Sequence, residues 1–300
     1  MISVPGVTAD LTRSANEHCV SSLSSQLIRT IAQCERDYGL RLVGSCATGE
    51  MHLPVRRDGV IRSMSDVDLI ALRNLTQHQR RHICKTIQDA GAKFGLQFSG
   101  VSIRAQSDFV GLPHSCLWRP SGLDGLLRTD RDAVLCFWTT IAVIESAITA
   151  IRNRQLPERQ VKAYAVAKFF YTLARNLALL DRQILRSYRD LSHWISARIP
   201  HAPSIELLGV KTGTSRSLSP QAVEVLFGDS TLQILLGSSE RMVAMCHDVA
   251  RYYYGSVPLD ACLYTRLASS TAPDEKCLSI AYYERSKLNE ALVSGQCNGL

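Results

Sequence analysis

The chain runs to 300 residues, 46% of them hydrophobic, with a formal net charge of +7 and ten cysteines. Such a length and apolar content bury a sizeable core in one large or two modest domains. No apolar run approaches the length of a bilayer span, and Thr8, Asp10 and Arg13 interrupt the N-terminal stretch. The sequence thus shows no pattern of a membrane span or a signal peptide, and leads us to expect a soluble, cytoplasmic protein with no membrane partner. The cysteines are scattered from Cys19 to Cys297 with no Cys-x-x-Cys pair and no matching histidine spacing. They read as small buried hydrophobes in a reducing compartment rather than a disulfide scaffold. The positive charge favours an anionic partner: a nucleoside triphosphate, RNA or an acidic metabolite.

Taken in chain order, Val20, Leu23, Leu27, Ile31 and Cys34 predict an amphipathic helix over residues 12–38, stopped at Gly39. A strand, Leu40-Arg41-Leu42-Val43, follows and runs into Gly44-Ser45-Cys46-Ala47-Thr48-Gly49-Glu50. After a connection over residues 51–64 that carries Arg56, Arg57 and Arg62, Ser65-Asp66-Val67-Asp68-Leu69 opens a second apolar strand ending at Ala71-Leu72. The connection is either a solvated loop or an extended hairpin whose arginines reach over phosphates or an acceptor. Thr76 begins a second helix, with Ile83, Ile87 and Ala90 on one side and a stop at Gly91 or Gly95. A strand over residues 96–104 and a linker over residues 111–125, punctuated by proline and glycine, complete the first half.

Side chains alternate faces along a strand, so Asp66 and Asp68 project from the same face. Two carboxylates that close repel each other, and a core strand gains nothing by burying them; a cation in front of them reconciles the pair. Magnesium suits this role, because it prefers oxygen ligands and is held by one or two carboxylates plus substrate phosphates. The Gly44-Ser45 turn offers backbone N–H groups that can approach a phosphate closely, and one hydroxyl donor. Cys46, inside that turn, is either reactive beside phosphate-binding donors or a simple packing residue.

Gly-Ser-x-Ala-x-Gly-Glu followed by Ser-Asp-x-Asp-Leu resembles the signature of the DNA polymerase β-like nucleotidyltransferase superfamily, most of all its minimal and antibiotic-modifying branches. The match covers residues 40–72. It implies an α+β fold in which helices pack on a short mixed sheet. It also implies metal-dependent transfer of a nucleoside monophosphate from a triphosphate to a hydroxyl, with release of pyrophosphate. In those terms Gly44 and Ser45 contact the triphosphate, and Asp66 and Asp68 are catalytic and bind Mg2+. Many members place a third carboxylate on the next core strand. Here residues 96–104 contain no acid, and Asp108, just past them, is the nearest substitute. If Asp108 does not reach the metals, the general base comes from elsewhere, or activity is weak or absent.

Beyond the linker the periodicity turns helical almost throughout. Residues 133–152 and 160–185 read as long helices separated by Leu156-Pro157-Glu158, a natural helix start. The second carries Lys168, Arg175, Arg182 and, continuing, Arg189 at intervals of seven, close to two turns, so the cations form one slowly drifting stripe. Such a stripe is either a solvated face or a set of which one or two members face a cleft. Val161-Lys162-Ala163-Tyr164-Ala165-Val166-Ala167-Lys168 with Ser187-Tyr188 is similar to the helical region of terminal nucleotidyl- and poly(A)-type polymerases. That likeness assigns nucleotide binding to Lys162, Lys168, Ser187 and Tyr188, with the tyrosine stacking the base; alternatively Tyr188 is an ordinary core residue. Gly209-Val210-Lys211-Thr212-Gly213-Thr214-Ser215 lacks the arrangement of a phosphate loop; it is either an anion-binding run or part of a flexible loop or lid over residues 200–220. Helices over residues 232–254 and 281–292 follow, and Tyr252, Tyr253 and Tyr254 belong either to the core or to an acceptor surface.

Together these features predict a nucleotidyltransferase-like domain over residues 1–120 and an α-helical domain over residues 121–300. The expected function is transfer of a nucleoside monophosphate, from ATP in the first instance, to a small-molecule hydroxyl. RNA is the second acceptor, and a catalytically degenerate nucleotide-binding or antitoxin-like interaction module is the non-enzymatic alternative.

Overall fold

A computed structural model describes residues 17–54, 59–105 and 131–254, apart from the single positions 154, 182, 184, 186 and 238. Helix α1 (Glu17–Tyr38) buries Leu27, Ile31 and Cys34, one turn apart, and Gly39 at φ 62° turns the chain into β1 (Leu40–Val43). Gly44 and Ser45 open a single helical turn, α2 (Gly44–Ala47), rather than an open loop. β2 (Ile61–Arg62) and β3 (Val67–Ala71) follow, then α3 (Gln77–Ala92), whose capping box between Thr76 and Gln79 fixes its start where the sequence places it. Ile83, Ile87 and Ala90 are buried on one side of α3, as the periodicity predicts.

The expected strand over residues 96–104 is two strands, β4 (Leu96–Gln97) and β5 (Val101–Ala105). They serve different sheets. β2 pairs in parallel with β4, so the connection over residues 51–64 is no self-paired hairpin among its described residues; Arg56 and Arg57 lie outside them. The main sheet has the order β1-β3-β5, with β1 antiparallel and β5 parallel to β3. Its Leu40, Leu69, Val67, Ala71 and Val101 face packs on α1 and α3. The opposite face carries Asp68 in register with Val43 and Ser102, and Ile70 in register with Arg41 and Arg104.

The second half is helical: α4 (Arg131–Arg152), α5 (Glu158–Leu180), α6 (Tyr188–Arg198), α7 (Ser204–Thr212), α8 (Pro220–Phe227), α9 (Asp229–Leu236) and α10 (Glu240–Tyr254). Helix α5 is buried on nearly every side, from Val161 and Tyr164 through Phe169, Phe170 and Tyr171 to Leu177 and Ala178. It is the central rod, packed by α4, α6, α7 and α10. Because α5 ends at Leu180, the anticipated stripe of cations is not continuous. Lys168 and Arg175 share α5, Arg189 belongs to α6, and Arg182 lies outside the described residues. Within the loop or lid expected over residues 200–220, Ser204–Thr212 form helix α7, closed by Gly213 in the left-handed region at φ 86°. A Cβ there would sit 2.7 Å from the Pro54 nitrogen, so α7 closes tightly against the stretch that follows the Gly44–Glu50 motif. The Leu53 N–H donates to the Thr212 carbonyl at 2.9 Å across the same junction.

The structure is thus a mixed α+β fold with a small mixed sheet. Among the described residues no helix is long and apolar enough to cross a membrane. The linker over residues 111–125, the helix over 281–292 and Asp108 lie outside the described residues. Residues 232–254, expected as one helix, are two, broken at Gly237.

Candidate functional site

The site forms where the carboxylate face of β3 meets α5, α6 and α7. Asp66 and Asp68 are both half-buried. The Ser102 hydroxyl donates to Asp68 Oδ1 at 2.6 Å, and Arg152 Nη1 at the end of α4 lies 3.9 Å from Asp66 Oδ2. Burial and the neighbouring Asp66 charge push the Asp68 carboxyl above the usual carboxylate range, against the pull of Ser102, Arg104 and Lys168. Two neighbouring half-buried carboxylates with oxygens to spare fit a divalent cation. Among the described residues no third His, Cys, Asp or Glu joins the pair; substrate phosphate oxygens and water are further ligands that a Mg2+ held by these carboxylates could take.

Gly44 and Ser45 reach this place from β1. Gly44 has φ 70°, Ser45 is buried, and α2 packs on β3. The Asp68 charge is felt at the Cys46 thiol, which burial chiefly and Asp68 secondarily push up to about 12. Cys46 packs in the core that lies between the sheet and α1 and α3, as a buried small hydrophobe does.

Lys168 approaches from α5, with Nζ 3.6 Å from Glu145 Oε2. Burial works against its charge, but the Tyr188 hydroxyl and the carboxylates of Glu145 and Asp66 outweigh it and hold its pKa above the ordinary lysine value. Glu145 is fixed in turn by the Thr172 hydroxyl at 3.0 Å. Tyr188 is 7% exposed, stands edge-on to Tyr171 with ring centroids 4.9 Å apart, and carries Arg175 at 5.6 Å from its ring. It adjoins the site as a wall residue. Ser187 is the N-cap of α6, its oxygen accepting from the Asp190 N–H at 3.0 Å. Lys162 is not brought to the site. Six residues before Lys168, it is rotated about two thirds of a turn away. It pairs with Glu158 at 2.7 Å and lines a separate cavity of about 600 Å³ with Tyr253, Tyr254 and Val223.

The residue the sequence reading missed is Lys211. It is 2% exposed on α7, donates to the Tyr164 hydroxyl, and sits 4.4 Å and 4.6 Å from the ring centroids of Tyr164 and Tyr188. The Tyr164 hydroxyl in turn lies 3.4 Å from Ser65 Oγ, which accepts the His52 N–H at 2.8 Å. Burial lowers the Lys211 pKa, the Lys168 charge adds to this, and Tyr188 and Asp66 oppose it. The sequence offers it only within the Gly209–Ser215 run as a possible anion binder, because its position reads as loop until α7 carries it inward.

A folded-state pKa below the unfolded value of 10.5 makes the charge on Lys211 a burden on the fold. Between the two values the unfolded chain binds the extra proton, so stability rises with pH across that window, by up to about 1.4 kcal/mol per unit. Lys211→Met should remove that rise. Urea midpoints followed as pH is raised towards 10.5 check it, and a variant that keeps the wild-type slope would show that Lys211 titrates normally.

Comparison of the chain with protein-family models, with curated proteins and with solved structures finds no match.

Proposed function

We propose that this cleft binds a magnesium nucleoside triphosphate and transfers its nucleoside monophosphate to the hydroxyl of a small acceptor. The observation that carries this reading is the meeting of two same-face carboxylates with Lys168, Lys211 and Arg152, drawn from three helices of the other half. Asp66 and Asp68 would hold the Mg2+, and Lys168 would neutralise charge on the departing pyrophosphate. When bound, the metal draws charge from the phosphate oxygens and lowers the pKa of a coordinated hydroxyl. The acceptor oxygen bonds to the α-phosphorus, the bond from that phosphorus to the bridging oxygen breaks, and pyrophosphate leaves with that oxygen. The hydroxyl proton passes to water.

Ser102, in register with Asp68 where a further acid would stand, supports a second reading in which the chain binds nucleotide without turnover. Pyrophosphate release from each of the four nucleoside triphosphates, with Mg2+ and either pooled small metabolites or total RNA, separates the readings. Release with the metabolite pool is the expected result. Release only with RNA changes the acceptor, and tight nucleotide binding with no release in either pool leaves the binding module.

A further inference from the structure

The carboxylate face of the sheet carries a second charged row. Arg41 on β1 and Arg104 on β5 flank Ile70 in register, one row and about 7 Å along the strands from Asp68. Residues paired across a sheet share a face, so both arginines lie on the side of Asp66 and Asp68. Both are exposed, while Ile70 between them is 5% exposed. Their Cα atoms are two strand spacings apart, about 10 Å, and guanidinium groups on flexible stems close that span around one anion. Arg104 is near enough to Asp68 to hold its carboxyl lower than it would otherwise be. The described face of this sheet offers no third carboxylate; its outer strands offer Arg41, Ser102 and Arg104.

A cationic acceptor would be repelled by that row, and a neutral one would leave two guanidinium groups idle beside the reacting centre. A polymeric nucleic acid would need a track of cations longer than one pair. We infer that the acceptor is a small hydroxyl compound bearing a phosphate monoester, its phosphate gripped by Arg41 and Arg104. Arginine suits the task because its planar fork meets two phosphate oxygens at once. This inference rests on the transferase reading and adds the acceptor class to it.

Calorimetric titration of inorganic phosphate tests it, on protein holding Mg2+ and the non-hydrolysable α,β-methylene-ATP so that the triphosphate subsite is filled. Wild type should bind phosphate. The double variant Arg41→Gln with Arg104→Gln should bind it at least tenfold more weakly. A double variant of the same charge change on remote exposed positions, Arg36→Gln with Lys85→Gln, should match wild type. Equal phosphate affinity in wild type and the Arg41/Arg104 variant would overturn the inference, as would a short RNA binding where phosphate does not. If α,β-methylene-ATP itself fails to bind, the transferase reading fails, and the arginine dependence of phosphate binding is still read.

Discussion

Asp68→Asn should lower pyrophosphate release by about 10³-fold or more while leaving the metal-free protein at least as stable as wild type. A factor of 10³ is about 4 kcal/mol of transition-state stabilisation, the scale expected when a charge that holds a catalytic metal is removed. Asparagine keeps the shape and keeps an oxygen that can accept from the Ser102 hydroxyl, which donates to Asp68 at 2.6 Å. What it removes is a carboxylate that burial and Asp66 both penalise. The sign of the stability effect follows. A carboxyl whose folded pKa is raised above its ordinary 3.8 favours the native state at pH values below 3.8, and that contribution is lost as pH rises through the folded value. The advantage of the asparagine variant should therefore open as pH climbs above about 3.8 and persist at neutrality. Urea melts in EDTA and initial rates in Mg2+ measure the two halves separately. A chain that gains stability and loses turnover keeps Asp68 for chemistry. Release within a few-fold of wild type would sink the two-carboxylate metal site.

The elements that chain-local physics determines were legible: α1, β1, β3 and α3 stand where periodicity, Gly39 and the Thr76 cap place them. The Gly44–Ser45 motif and the aspartate strand meet, since α2 packs on β3. What could not be read depends on packing between distant segments. Lys211 lies in a stretch rich in glycine and threonine that favours a loop, and only docking of α7 on α5 makes it a buried helical residue. Lys162 and Lys168 share a helix and a sequence motif, yet a six-residue separation turns one towards Asp66 and the other towards Tyr253 and Tyr254. The single strand expected over residues 96–104 breaks at Phe98–Gly100 because its two ends pair with different partners. Arg41 and Arg104 are 63 positions apart, and register alone sets them on one row.

Glu50→Ala should be the most destabilising single change at the junction of the two halves, about 3 kcal/mol, or a fall in melting temperature of roughly 6–10 °C. The glutamate of the Gly-Glu motif is 2% exposed, and each of its oxygens accepts a backbone N–H from α6, far along the chain. Oε2 accepts the Tyr188 N–H at 2.7 Å and the Thr48 hydroxyl at 3.1 Å; Oε1 accepts the Arg189 N–H at 3.1 Å. It therefore caps α6 from outside the helical half, meeting N–H groups that a helix start leaves without intrahelical partners. Arg189 Nε, 3.9 Å from Oε1, adds a weak ion pair from the rim. Alanine would strand the buried Tyr188 N–H and the partly buried Arg189 N–H at once, whereas Glu50→Gln keeps one good acceptor and should fall between alanine and wild type. Because Tyr188 follows directly on the Ser187 cap and walls the Lys168 side of the cleft, loosening α6 should also weaken binding of α,β-methylene-ATP in proportion to the loss of stability across the two variants. Thermal melts and nucleotide titration of the same samples check both effects. A Glu50→Ala protein within about 1 kcal/mol of wild type would show that the Leu53–Thr212 contact and the packing of Gly213 on Pro54 hold the junction without it.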